Sequence, residues 1–157
     1  SSLISLAEKS SNAQVRNYLL SEYLAETGQI RLPIELGSSY FSRLDENIVI
    51  YMPMKTVNRI MAVRLNASKS LDEKYVLGLN LSDDPVSNNY ALYVRNGILE
   101  IQPEIAENPK FVVSTDSLTW KNLVLGKLNP VEAISNNDVQ ISGADPEDFY
   151  GFLDLFK

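Results

Sequence analysis

The sequence predicts an α+β domain: about five mainly antiparallel strands in one sheet, helices on one side, and a helical arm in front. Three observations carry that prediction. Asn96-Gly97 stands between two apolar runs, and both residues accept the positive φ of a tight type I′ hairpin turn. Short β-branched and aromatic runs recur from Tyr75 onward, each bounded by turn residues. Around them lie stretches with apolar residues at helical spacing, opened by Asp, Asn or Pro and closed by Gly.

The elements follow in chain order. Ser1 to Gly28 reads as helix: Leu3, Ile4, Leu6 and Ala7 make a short amphipathic start, and Asn12 caps a longer helix that Gly28 stops. Val15, Tyr18, Leu19 and Tyr23 form its apolar stripe, joined by Leu20 and Leu24. Such a stripe needs a surface, which the domain's own body, a second copy or an upstream domain could supply. Residues 31–47 are irregular, with Pro33, Gly37, Ser38 and Ser39, and read as a linker that Tyr40 and Phe41 anchor. This divides the chain into an arm with linker, 1–47, and a globular domain, 48–157.

Ile48 to Leu65 reads as a short extended piece and then a helix, with Pro53 in its first turn and Val57, Ile60, Met61 and Leu65 on one face. The three methionines, at 52, 54 and 61, all fall here; they are commonly core residues, and they also suit a pocket for varied apolar chains. Tyr75 to Leu81, Tyr90 to Val94 and Ile98 to Ile101 form an antiparallel meander. Asp83 and Asp84, in the first loop, read as solvated turn formers.

Phe111 to Ser114 is the next strand. Asp116 caps the helix after it, and Gly126 ends that helix. Pro130 opens a short helix to Ile134, residues 136–138 turn the chain, and Val139 to Ile141 forms the last strand. Asp145-Pro146-Glu147-Asp148 starts the closing helix: cap, proline at the first position, two acids on the positive end of the dipole. Phe149, Phe152, Leu153 and Phe156 recur at i, i+3, i+4 and i+7 on one face of it. They close a core, and a terminal helix over a sheet is also a natural lid for an apolar space. The candidate lining residues of that space are Leu79, Tyr93, Trp120, Leu123, Phe149, Phe152, Leu153 and Phe156, although plain core packing is the commoner role for each. Leu118 and Leu125 face away from Trp120, which buries that helix on two sides. Gly151 lies opposite the phenylalanine face, where Ala would be about 1 kcal/mol better; it either loosens the lid or admits a close backbone, and the first is preferred.

Composition narrows the function. The 157 residues, 45% hydrophobic and 22% charged, suffice for one domain with a real core. A net charge of −6 argues against nucleic acid and against electrostatic docking to anionic membranes. No apolar run approaches the roughly 20 residues of a membrane span, and Leu3 to Ala7 is too short for a signal peptide. There is no Cys and no His. That removes disulfides, thiolate nucleophiles, most zinc sites and the His-based catalytic triads. No two acids share a spacing that predicts a catalytic pair, and no Gly-rich phosphate loop is present, so catalysis by this chain alone is not expected. The compartment stays open between periplasmic, secreted and cytoplasmic.

Two resemblances add to this. Leu125-Gly126-Lys127, Pro130-x-x-Ala133, Val139-x-Ile141-x-Gly143 and the closing helix together resemble the C-terminal half of a type-two sterol carrier protein domain. Asn137 stands near a common Gly of that family and tolerates the same left-handed turn. Ala144 stands where an acid often follows, and Asp145 beside it is expected to take over the capping. Met61-Ala62-Val63-Arg64-Leu65-Asn66 and Tyr93-Val94-Arg95-Asn96-Gly97-Ile98-Leu99 resemble the C-terminal domain of bacterial alkyl sulfatases, and Arg16-Asn17-Tyr18-Leu19 loosely resembles the helical dimerisation region before it. The resemblance covers nearly the whole chain, is specific at 61–66 and 93–99, and is weak before residue 48.

What the resemblance implies is a division of labour. In that family an upstream metallo-β-lactamase-type domain cuts the sulfate ester at a two-zinc site whose ligands are largely His. This chain, without His, is then expected to hold no cofactor of its own and to be a non-catalytic piece. Its expected partners are that upstream domain, an alkyl or lipid-like small molecule in an apolar pocket, and a second copy through the N-terminal helices. The alternatives are a free-standing sterol-carrier-like lipid carrier and a structural or dimerisation module whose core is filled by its own side chains. The Ala-Val-Arg-Leu helix and the Arg-Asn-Gly hairpin favour the first over the free-standing carrier.

Overall fold

The computed structural model describes residues 45–84 and 88–157; the expected helical arm, the linker up to residue 44 and the tip of the first strand loop lie outside these. The described chain runs α1 (Glu46–Tyr51), α2 (Met54–Arg64), α3 (Ala67–Ser70), β1 (Lys74–Leu81), β2 (Asn89–Arg95), β3 (Ile98–Gln102), β4 (Val112–Thr115), α4 (Ser117–Val124), α5 (Pro130–Ser135), β5 (Gln140–Ser142) and α6 (Pro146–Asp154).

The strands form one sheet in the order β3-β2-β1-β4-β5. All neighbours are antiparallel except β1 and β4, which run parallel. The parallel pair follows from the route of the chain. After β3 it crosses the outer sheet face, where Ile105, Ala106 and Pro109 lie against Gly78 and Val112, and so enters β4 from the same end as β1. The crossing is tied down where Lys110 N–H donates to the Val76 carbonyl at 2.8 Å and Gly78 N–H donates to the Phe111 carbonyl at 3.0 Å.

Register places the apolar face. Leu77 pairs with Leu92, Leu79 with Tyr90 and with Val113, and Val94 with Leu99. These side chains share one face and one core with Val49, Met52, Val57, Ile60, Met61, Trp120, Leu125, Phe149 and Phe152 from the helices. Side chains alternate across a strand, so Val76, Gly78, Ala91 and Tyr93 point the other way. A Cβ on Gly78 would stand 3.1 Å from Val112 Cγ2, so the small residue lets the crossing strand pack close.

Most boundaries match their chemical signals. Asp116 accepts the Thr119 N–H at 2.8 Å and caps α4. Gly126, at φ +77°, ends it, and Lys127 N–H reaches back to the Asn122 carbonyl at 2.7 Å, as a left-handed helix stop requires. Asn137, at φ +60°, does the same for α5, with Asp138 N–H on the Ala133 carbonyl at 2.9 Å. Asn96 and Gly97 adopt φ of +50° and +83° in the hairpin.

Five details depart from expectation. Ile48 to Met52 is not extended: Glu46–Tyr51 is a helix, capped by Asp45 and held by the burial of Val49, so the last linker residues belong to the body. Pro53 precedes α2 as its cap residue and does not enter its first turn. The α3 turn was not foreseen, since Ala-Ser-Lys-Ser carries no apolar stripe; Asn66 caps it by accepting the Lys69 N–H at 3.0 Å. Asp145 occupies the cap position of α6 without a capping side-chain hydrogen bond, so Pro146 and the acids of the first turn start that helix. β4 and β5 also begin one residue later than their runs suggest, because their register runs from Val112 opposite Ser142 to Ser114 opposite Gln140.

Candidate apolar-ligand site

The structure divides the eight candidate lining residues into three groups. Leu79, Trp120, Phe149 and Phe152 are sealed in the core. Trp120, 1% exposed, stacks on Phe149 at 6.4 Å between ring centres, and Phe111 meets the same ring edge-on at 6.4 Å. These are geometries that aromatic quadrupoles favour, and all three rings are buried. Tyr93 is elsewhere. It pairs with Val76 on the outer sheet face, and its hydroxyl donates to Glu104 Oε1 at 2.6 Å. Alternation along β2 sends it away from the helices, which removes it from the apolar set.

Leu123, Leu153 and Phe156 form the third group and border a groove of about 760 Å3 at the ends of α4 and α6. Val124, Leu128, Pro130, Val131 and Tyr150 add to its apolar wall. Phe156 is held from behind by Phe152, edge-to-face at 5.2 Å. Arg64, Lys127 and Lys157 also line the groove, with Asp154 as the carboxylate among them; Lys157 pairs with Asp154 at 3.0 Å.

Arg64 is the anchor of this end of the fold. Its guanidinium donates to the Val124 carbonyl and to the Phe156 carbonyl, both at 3.2 Å, so one cation ties together the C-terminal ends of α4 and α6. Carbonyls left over at helix ends, with the negative end of the dipole behind them, favour such a donor. Burial lowers the guanidinium pKa. Two residues on, Asn66 N–H donates to the Leu155 carbonyl at 2.7 Å. The Arg64-Leu65-Asn66 segment thus holds the closing helix in place. The Arg95-Asn96-Gly97 turn docks on α3, with Asn96 N–H on the Glu73 carbonyl at 3.0 Å and Gly97 N–H on the Ser70 carbonyl at 3.1 Å.

A second cavity, of about 520 Å3, lies at the other end of α4. Met52, Pro53, Met54, Tyr90 and Pro103 supply its apolar surface, and Lys55, Asn58, Asp84, Ser117 and Lys121 its polar one. Met52 and Met54 border this cavity, Met52 from the core at 1% exposure, whereas Met61 is core away from it. Lys121 is only 7% exposed and donates to the Ile50 carbonyl at 3.2 Å. Burial lowers its pKa, while the Asp83 and Asp84 carboxylates act in the opposite direction. Asp83 is more than a solvated turn residue. It accepts the Ser117 N–H at 2.8 Å and the Ser117 hydroxyl, and these bonds hold its pKa below the usual carboxylate range. Tyr90 donates to Asp84 Oδ2 at 3.2 Å, and burial, then the Asp84 charge, pushes its pKa up to about 12.

Among the described residues no three acidic side chains come together as a metal site needs. No described helix is long and apolar enough to cross a membrane.

Residues 44–157 match the family described as alkyl sulfatase C-terminal. The chain belongs to that family. Among solved structures, it is similar to the stereoselective inverting sec-alkylsulfatase Pisa1 from Pseudomonas sp., with 21% identity and a TM-score of 0.61 over 68% of this chain. A double mutant of the same enzyme gives 20% identity and a TM-score of 0.58 over 66% of this chain. The chain spans 16% of the length of each. The ubiquinone synthesis protein UbiJ-SCP2 gives 16% identity and a TM-score of 0.50, covering 66% of this chain and 92% of that one. Comparison with curated proteins finds no match. At these identities the structural likeness shows the fold: the alkyl sulfatase C-terminal domain has the α+β, sterol-carrier-like architecture. Its groove residues Leu128 and Val131 escaped the candidate set, because the left-handed stop at Gly126 folds them back beside α6 and no periodicity reports such a fold-back; Val124, the last residue of α4, escaped it as well.

Proposed function

We propose that this chain is the non-catalytic C-terminal part of an alkyl-sulfatase-like hydrolase, and that the groove at the ends of α4 and α6 holds the substrate's apolar chain. The observation that carries this reading is the groove itself. In a chain of this family, Leu123, Leu153 and Phe156 reach the wall of one groove from the core, beside the exposed Val131, and Arg64, Lys127 and Lys157 rim it. Burying a methylene is worth about 0.8 kcal/mol, so a dodecyl tail half inserted would gain on the order of 5 kcal/mol before ordering costs. Cleavage of the ester then belongs to an upstream domain, since this sequence has no His with which to build a His-rich zinc centre. The arm that precedes residue 45 would join the two, or pair two copies.

The sealed aromatic group favours a second reading for part of the molecule. Trp120, Phe149 and Phe152 act there as a filled core that fixes α4 and α6, and the ligand surface begins beyond them.

Val131 lines the groove and is half exposed, so Val131→Trp fills the groove without disturbing the core. Titration with decyl sulfate below its micelle concentration should show one saturable site, weakened at least roughly tenfold by that substitution. Equal affinity of the two proteins would reject the groove as the site.

A further inference from the structure

The cavity beside Met52 and Met54 is separate from the groove, and no residue is common to the two. Its apolar part is made by Met52, Pro53, Met54, Tyr90 and Pro103, with the flexible thioethers able to adapt to a chain. Its polar end is balanced in charge. Lys55 and Lys121 line it along with Asp84, and Asp83 stands behind Ser117, hydrogen-bonded to it. Two ammonium groups and two carboxylates leave no net charge to attract an ionic head group. An anion brought there would exchange its hydration for Lys121 and meet Asp84 as well; a cation would meet Lys121. A hydroxyl fits both partners, since it accepts from the Lys121 ammonium and donates to the Asp84 carboxylate. Lys121 is held ready for this: nine-tenths buried, and steered by its bond to the Ile50 carbonyl.

We infer that this cavity is a binding site for a single-chain aliphatic alcohol, its hydroxyl between Lys121 and Asp84 and its chain against Met52, Met54 and Tyr90. The site discriminates by head group: a neutral alcohol enters, and a sulfate ester or a quaternary ammonium of the same chain length is disfavoured. This does not depend on the groove's role, and the two sites answer to different substitutions.

Methionine-methyl NMR on the whole chain tests it directly, because the chain has three methionines and two of them line the cavity. The probes are 1-decanol, decyl sulfate and decyltrimethylammonium, each below its solubility or micelle limit. Decanol should move the Met52 and Met54 methyl signals in a saturable, one-to-one manner and leave Met61 in place. Lys121→Met should weaken decanol roughly tenfold, about the worth of a hydrogen bond to a charged group. Asp84→Asn, which removes a charge and keeps an acceptor, should raise the affinity for decyl sulfate relative to decanol. Met54→Trp, at the partly buried rim, should abolish the decanol shifts at Met52 and leave signals remote from the cavity unchanged. Decyl sulfate moving Met52 and Met54 as tightly as decanol overturns the head-group assignment. Decanol shifts that survive Met54→Trp, or that never appear at Met52 and Met54, overturn the site. Val131→Trp should leave all of these shifts as they are.

Discussion

At the residue scale, the ionisable groups that the fold perturbs lie mostly around the Met52 cavity and along β1. Tyr75 and Tyr90 both have their pKa pushed up from 10.0 to about 12, burial being the first cause in each. Tyr75 also carries Lys110 over its ring at 4.6 Å. A tyrosine that keeps its proton in the fold and loses it in the unfolded chain makes stability fall as pH rises between the two values. Both hydroxyls therefore make the domain lose stability between pH 10 and about 12. Lys121 has the opposite sign: its lowered pKa means that the unfolded chain binds more protons, so its contribution rises with pH below its ordinary value of 10.5. Urea unfolding between pH 9 and 12 should show a net decline that Tyr75→Phe and Tyr90→Phe together make shallower. An unchanged slope in the double variant would contradict the assignment. The partners were not legible from sequence: alternation along Tyr90-Ala91-Leu92-Tyr93-Val94 puts the two tyrosines on opposite faces, but it does not show that Tyr90 meets Asp84 and Tyr93 meets Glu104.

At the element scale, far more was legible. Caps and stops act through a few adjacent atoms, so Asp116, Gly126, Asn137 and the Asn96-Gly97 turn are set by local chemistry that a sequence displays. Elements that depend on distant partners were not. α1 exists because Val49 reaches the core, and α3 because Asn66 caps it and the Gly97 turn packs on it. The closing helix shows both cases. Its phenylalanine face was read correctly from spacing, since Phe149, Phe152 and Phe156 are all buried. Gly151 had two readings, and the space around it favours the first: among the described residues nothing stands within 4 Å of where its Cβ would lie. No described backbone packs into that gap, which fits a glycine that loosens α6. Gly151→Ala should stabilise the domain by about 1 kcal/mol in thermal or urea unfolding. A loss of stability would mean that α6 needs that freedom, or that another chain approaches there.

At the scale of the whole molecule, the fold places two open apolar spaces at opposite ends of α4 and a sealed aromatic core between them. The sequence motifs that marked the family turn out to be structural: Arg64 and Asn66 pin the ends of α4 and α6, and Arg95-Asn96-Gly97 seats the hairpin on α3. Of these only Arg64 lines the groove, and it supplies no apolar surface, which is why the motifs pointed to the architecture more sharply than to the site. The candidate residues nearest the middle of the core, such as Trp120 and Phe149, were the most prominent in sequence and the least accessible in space.

The central claim is that this domain takes an alkyl chain, and chain length tests it most directly. Calorimetric titration with octyl, decyl and dodecyl sulfate should give one site whose affinity rises with each added methylene, by about 0.8 kcal/mol if burial is complete, with a negative heat-capacity change. Affinity that stays flat across the three chains, or no saturable binding by a folded domain, would contradict the account and leave a structural module with its core filled by its own aromatic rings.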